Sequence, residues 1–140
     1  MVKTILIIDD CDDFRSIVAS LLLDAGYDIW EAACPEDALP ILSREKFDLI
    51  ICDLHMPFAS GDRQDDFVVS YEVGVKTVNE LRYVYPDVPI IALSNTAESD
   101  LQRISTYLDP VPAYTKPIHN DEILSLVKRS LDEKVTRVVQ

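Results

Sequence analysis

Asp9, Asp10, Asp53, Ser94 and Lys116 lie far apart in the chain, yet each stands where an apolar run of strand character ends. Gathered at one edge of a sheet, they make a pocket of three carboxylates, a hydroxyl and an amine. Oxygen ligands of this kind suit Mg2+ (or Mn2+) and leave one carboxylate as a nucleophile toward phosphorus. Two carboxylates about 4 Å apart repel by roughly 4 kcal/mol at an effective dielectric near 20, so such a trio needs a cation. Lys116 supplies one positive charge, and a hard divalent ion fits the remainder better. A plainer reading stays open for Asp9 and Asp10, which can end a strand and cap a helix from Asp12. It does not account for Asp53, Ser94 and Lys116 at three further strand ends.

The elements that must bring these residues together alternate along the chain as short apolar runs and longer segments of helical period. This is the pattern of a parallel sheet with crossover helices. Lys3 to Ile8 reads as a strand buried on both faces. Phe14, Ile17, Val18, Leu21, Leu22 and Ala25 then predict one buried stripe of a helix over Asp12 to Ala25, stopped by Gly26. Asp28 to Glu31 is a less apolar strand, placed near an edge. Pro35 opens a helix to about Lys46, in which Pro40 cannot donate to the carbonyl of Glu36 and predicts a kink or tightened turn. Phe47 to Cys52, Val88 to Leu93 and Val111 to Thr115 read as three more strands. Helices are predicted over Gly74 to Tyr85, around Leu101, Ile104 and Leu108, and over Asn120 to Lys134, with Ile123, Leu126, Val127 and Leu131 inward. His119 marks the start of the last helix.

One domain over residues 1–134 is therefore expected, with 135–140 as a short tail, since 140 residues bury one core comfortably and two poorly. Twenty-five acidic against 13 basic residues, a net charge of -12, argue against direct binding to nucleic acid or anionic membranes. No long apolar run predicts membrane insertion, and MVKTILIIDD turns acidic too soon for a secretory leader. The expected compartment is the cytoplasm. Cys11, Cys34 and Cys52, without CxxC spacing, read as free thiols. Cys52 and Cys11 flank the acids, where a thiolate is disfavoured, so redox catalysis is not expected.

In an open parallel sheet a ligand binds beyond the carboxyl ends of the strands, where the strand order reverses. For the order 2-1-3-4-5 that point falls between the first and third strands, which here end at Asp9, Asp10 and Asp53. Pattern and topology agree.

At ILIIDD (5 to 10), DLHMP (53 to 57), IIALS (90 to 94) and TKP (115 to 117) the chain resembles the receiver domain of two-component response regulators, over almost its whole length. The resemblance implies a flavodoxin-like, doubly wound (βα)5 fold and a stand-alone phosphoacceptor of a phosphorelay. It implies that Asp53 accepts a phosphoryl group from a sensor histidine kinase or a histidine phosphotransfer protein. Asp10, Asp53 and the backbone carbonyl of His55 would bind Mg2+ directly, with Asp9 acting through water. Lys116 and Ser94 would each donate to phosphoryl oxygens, and the Lys116–Pro117 bond is expected to be cis. The chemistry stops at self-phosphorylation and self-dephosphorylation, without turnover of an external substrate. Output would pass to a downstream protein through the face of the fourth and fifth helices and last strand, and a homodimer is compatible with this.

Three positions depart from the family pattern. Ala113 stands where receivers usually carry a switch aromatic; Tyr114, next to it, is read as filling the core under the last helix. Asn95 is bulkier than the usual small residue after Ser94 and bears on loop closure. Phe58 to Val73 is a connection roughly a dozen residues longer than usual, either a tolerated surface insertion or a lid or docking element. His55 faces the mouth of the site, where it can tune attacking water. Two other classes stay open: a receiver-like interaction module that works without phosphate, and an aspartyl-phosphate hydrolase similar to haloacid dehalogenase-like phosphatases. The second carries an Asp two residues after its nucleophile, where this chain has His55.

Overall fold

Ile5, Leu6, Ile7 and Ile8 are all buried, which requires a strand covered on both faces. In the computed structural model, which describes residues 2–59 and 71–139 and the side chains of these up to residue 133, that strand is the centre of the fold. The elements run β1 (Thr4–Ile8), α1 (Asp12–Asp24), β2 (Asp28–Ala32), α2 (Pro35–Arg44), β3 (Leu49–Asp53), α3 (Tyr71–Val84), β4 (Ile90–Ser94), α4 (Glu98–Ser105), β5 (Ala113–Thr115) and α5 (Asn120–Val139). The five strands pair in parallel in the order 2-1-3-4-5, as the alternation predicted.

Alternation along each strand splits the core into two layers. Leu6, Ile8, Ile50, Cys52, Ile90 and Ala92 point toward α2, α3 and α4. Ile5, Ile7, Leu49, Ile51, Ile91 and Leu93 point the other way and meet Val18 and Leu22 of α1 and Ile123, Leu126, Val127 and Leu131 of α5. Every strand is thus sandwiched, except that β2 at the edge keeps Asp28, Trp30 and Glu31 exposed.

Gly26 ends α1 in the left-handed region at φ 98°, and Tyr27 N–H and Gly26 N–H reach the carbonyls of Leu22 and Leu23 at 3.1 and 3.0 Å. A residue with a Cβ is strained there, which is why this helix stops on glycine. Pro40 and Glu36 are both exposed, so the carbonyl that Pro40 cannot serve lies where water reaches it, and α2 continues to Arg44.

Several boundaries differ from the sequence reading. Ile17, 57% exposed, and Ala25 lie off the buried stripe of α1, whose core positions are Val18, Ala19 and Leu22; the two apolar misfits sit a residue or more around the helix from that line. Tyr71, Glu72 and Val73 belong to α3, so the predicted Phe58 to Val73 connection is helical at its end. Residues 60–70 of it, with Asp62, Asp65, Asp66, Phe67, Val68 and Val69, lie outside the described residues. Helix α5 runs on to Val139 where a tail from Val135 was expected; no glycine or proline follows Pro117 to stop it.

Gly74 sets how near α3 approaches the sheet. A Cβ at this position would overlap the backbone of Leu54, the residue after β3. Gly74→Ala is expected to cost about 2 kcal/mol, read as a lowered urea midpoint with unchanged denaturant slope.

Candidate functional site

The sheet register decides what meets at its carboxyl edge. Ile8 pairs with Cys52 and Asp53 with Leu93, so Asp9 and Asp53 leave adjacent strands side by side. Ser94 pairs with Thr115, and Lys116 N–H donates to the Ser94 carbonyl at 2.8 Å, which brings the lysine beside the acids. All five residues singled out by type and spacing arrive at this edge.

Carboxylate oxygens of Asp9, Asp10 and Asp53 lie within 4.8 Å of one another. Asp9 and Asp53 are each only 1% exposed, while Asp10 opens toward solvent. Lys116 Nζ donates to Asp9 Oδ2 at 2.7 Å and stands 3.6 Å from Asp53 Oδ1. The Phe14 ring lies 4.3 Å from that nitrogen and covers it on the side of α1. Asp9 Oδ1 accepts the Cys11 N–H at 2.9 Å, so both oxygens of Asp9 are engaged. Asp10 makes no hydrogen bond or ion pair with the described residues.

Asp53 is divided. Its Oδ1 accepts the His55 N–H at 3.2 Å and faces Lys116; its Oδ2 is buried without a hydrogen-bond partner among the described residues. An orphaned carboxylate oxygen in the interior is costly unless a cation or a covalent partner meets it. Burial, then the charge of Asp9, pushes the Asp53 carboxyl up to about 8, against the pull of Lys116 and the His55 N–H. Among the described residues three carboxylates against one ammonium leave the cluster short of positive charge, and its donors are hard oxygens. The residues fit a divalent cation.

His55 contributes more than its backbone. Its Nε2 lies 2.6 Å from Ser94 Oγ and 2.7 Å from Thr96 Oγ1, and Thr96 N–H donates to Ser94 Oγ at 3.0 Å. Burial, then the nearby Lys116 charge, lowers the imidazole pKa. Cys52 is driven far above the thiol range by burial and by Asp53 and Asp9, which keeps it protonated. Asn95 is exposed. Tyr114 packs on the α1 and α5 side, as the core-filling reading expected, whereas Ala113 packs on the opposite layer. The Lys116–Pro117 bond is cis, as the resemblance implied. His119 offers its carbonyl to Ile123 N–H at the start of α5.

Three contributors escaped the sequence reading. Thr96 sits two residues past a strand end with no signal in its type. Phe14 was one apolar residue of a stripe. Arg15 donates to the Asp9 carbonyl at 2.6 Å while pairing with Asp12 and Glu31 at 2.7 and 3.2 Å, which ties α1 and β2 to the acidic corner. Its spacing three after Asp12 marks a helix-surface pair, and only the fold points it at the backbone of Asp9.

The raised Asp53 pKa carries a sign. Without a cation the folded state holds a proton on Asp53 that the unfolded chain has released above about pH 4, so this group's contribution is fully present below that pH and is lost as pH rises toward about 8. Asp53→Asn is therefore expected to leave stability little changed near pH 4 and to raise it by a few kcal/mol, as an order of magnitude, near pH 8. Urea denaturation of both proteins in metal-free buffer across that range checks it; a gap that does not widen with pH contradicts it.

Residues 5–64 match the family model of the response regulator receiver domain. Sporulation initiation phosphotransferase F of Bacillus subtilis is 25% identical over 134 residues, covering 96% of this chain and 98% of that protein. An NtrX-like response regulator of Rickettsia bellii is 27% identical over 91% of this chain, which spans only 24% of that longer relative. Among solved structures, the response regulator TrrA of Thermotoga maritima in complex with Mg2+ and BeF aligns with a TM-score of 0.71 at 28% identity, over 93% of this chain and all of that one. The five-stranded 2-1-3-4-5 sheet, the family-model match over residues 5–64 and the named relatives agree: the chain is similar to response regulator receiver domains.

Proposed function

We propose that this chain is a phosphoacceptor of a two-component phosphorelay and that Asp53 is its acceptor. The observation that carries this reading is the buried Asp53 Oδ2, without a hydrogen-bond partner among the described residues, beside two further acids and opposite a buried ammonium. Asp53 attacks the phosphorus of a phosphohistidine on a sensor kinase or a histidine phosphotransfer protein; an O–P bond forms as the N–P bond breaks. Asp10, Asp53 and the His55 carbonyl would hold Mg2+, and Asp9, already spent on Lys116 and Cys11 N–H, would act through water. Bound there, the metal neutralises charge on the transferring phosphoryl oxygens. Lys116 holds another of those oxygens, and Ser94 a third.

The acyl phosphate is hydrolysable, so the mark decays by its own chemistry. Added negative charge on Asp53 draws Lys116 and the Ser94 loop and changes the surface offered to a downstream protein. The cytoplasm is the compartment this reading requires; among the described residues no helix is long and apolar enough to cross a membrane. An aspartyl-phosphate hydrolase is disfavoured because the position that would serve as acid/base is His55, whose ring is bonded to Ser94 and Thr96.

Incubation with Mg2+ and acetyl phosphate followed by intact-mass measurement is expected to show one phosphoryl group on the wild type and none on Asp53→Asn. Chelation of the metal is expected to abolish labelling, and Lys116→Ala to slow it by about 100-fold. Phosphate release far beyond one equivalent would favour the hydrolase, and an unmodified mass the interaction module.

A further inference from the structure

The hydroxyl of Ser94 is not idle. It belongs to a fully buried side chain, accepts the Thr96 N–H at 3.0 Å and lies 2.6 Å from His55 Nε2, with Thr96 Oγ1 2.7 Å from the same nitrogen. These contacts tie the segment after β3 to the segment after β4. Both are short for a ring N–H donor, whose usual distance to oxygen is about 2.9 Å, and suit hydroxyl donors. We assign His55 Nε2 as the acceptor, its single lone pair shared by the Ser94 and Thr96 hydroxyls. A serine hydroxyl has a single proton to give, and here it is given to the imidazole.

We propose that His55 is a positioning residue that latches Ser94: the hydroxyl must release the imidazole before it can donate to a phosphoryl group on Asp53. The inference rests on the phosphoacceptor reading and adds to it a side chain that sets the cost of engaging the phosphate. The contact is separate from the metal set, since the His55 carbonyl belongs to the backbone and is kept in any substitution. Loss of the imidazole frees the Ser94 proton and lowers that cost. Glutamine, whose amide oxygen can accept from a hydroxyl, restores the latch.

The test uses Mg2+ with beryllium fluoride as an unreactive stand-in for the phosphoryl group, titrated by the amide NMR signals of residues 94–96. His55→Leu and His55→Ala are expected to bind it about five- to tenfold more tightly than wild type, the worth of one net hydrogen bond. His55→Gln is expected to stay within about twofold of wild type. In a Ser94→Ala background the effect of His55→Leu vanishes, which a packing role would not produce. Before any ligand is added, the Thr96 amide exchanges faster in His55→Leu than in wild type. Unchanged or weaker binding by both apolar variants, or an effect that survives Ser94→Ala, overturns the latch while leaving the phosphoacceptor reading intact. A wild type that binds no Mg2+–beryllium fluoride removes both.

Discussion

A single ammonium holds the acidic edge of this sheet together. Lys116 Nζ is bonded to Asp9 and close to Asp53, and all three side chains are shielded from water. Without that charge, two carboxylates on neighbouring strands would face each other in the interior, a juxtaposition that folding would have to relieve by protonation or movement. Its position is over-determined: the β4–β5 register delivers the backbone, and the Phe14 ring covers the nitrogen. Arg15 secures the other side by its bond to the Asp9 carbonyl.

One lysine does not settle the account of charge. Among the described residues Asp53 Oδ2 remains buried and unmet, and its carboxyl is held well above the ordinary range. A divalent cation on the open side toward Asp10 would supply the missing positive charge. A carboxylate already satisfied by hydrogen bonds would be a poor nucleophile, and Asp53 is not satisfied in that way among the described residues.

The remaining architecture serves placement. Two apolar layers fix the strands, and the close approach of α3 at Gly74 holds Leu54, and with it the turn that carries His55. Two of the departures from the usual receiver pattern lie on β5, on opposite faces of the sheet. Ala113 offers no ring to move, and Tyr114 is committed to the α1 and α5 layer. A link between the strand-end loops through His55, Ser94 and Thr96 is what the structure provides beside the acids.

The amino-acid sequence by itself determined the strand and helix order, the parallel sheet and the arrival of Asp9, Asp10, Asp53, Ser94 and Lys116 at one edge. It could do so because burial on both faces imposes continuous apolar runs, and the first polar residue after such a run must lie at the rim. Helix ends were less legible: Ile17 looked like core by type, and α5 ran past Lys134, because a helix continues wherever nothing stops it. The division of labour inside the site was decided only by tertiary structure. Which oxygen of Asp53 is left bare, that Asp9 is consumed by Lys116, that Thr96 shares a nitrogen with Ser94, and that Arg15 braces a backbone carbonyl all depend on distances of a few tenths of an ångström between residues up to about a hundred positions apart. Periodicity carries the face and the rim; hydrogen-bond geometry at the rim is set by how neighbouring strands are offset, and no residue type encodes that alone.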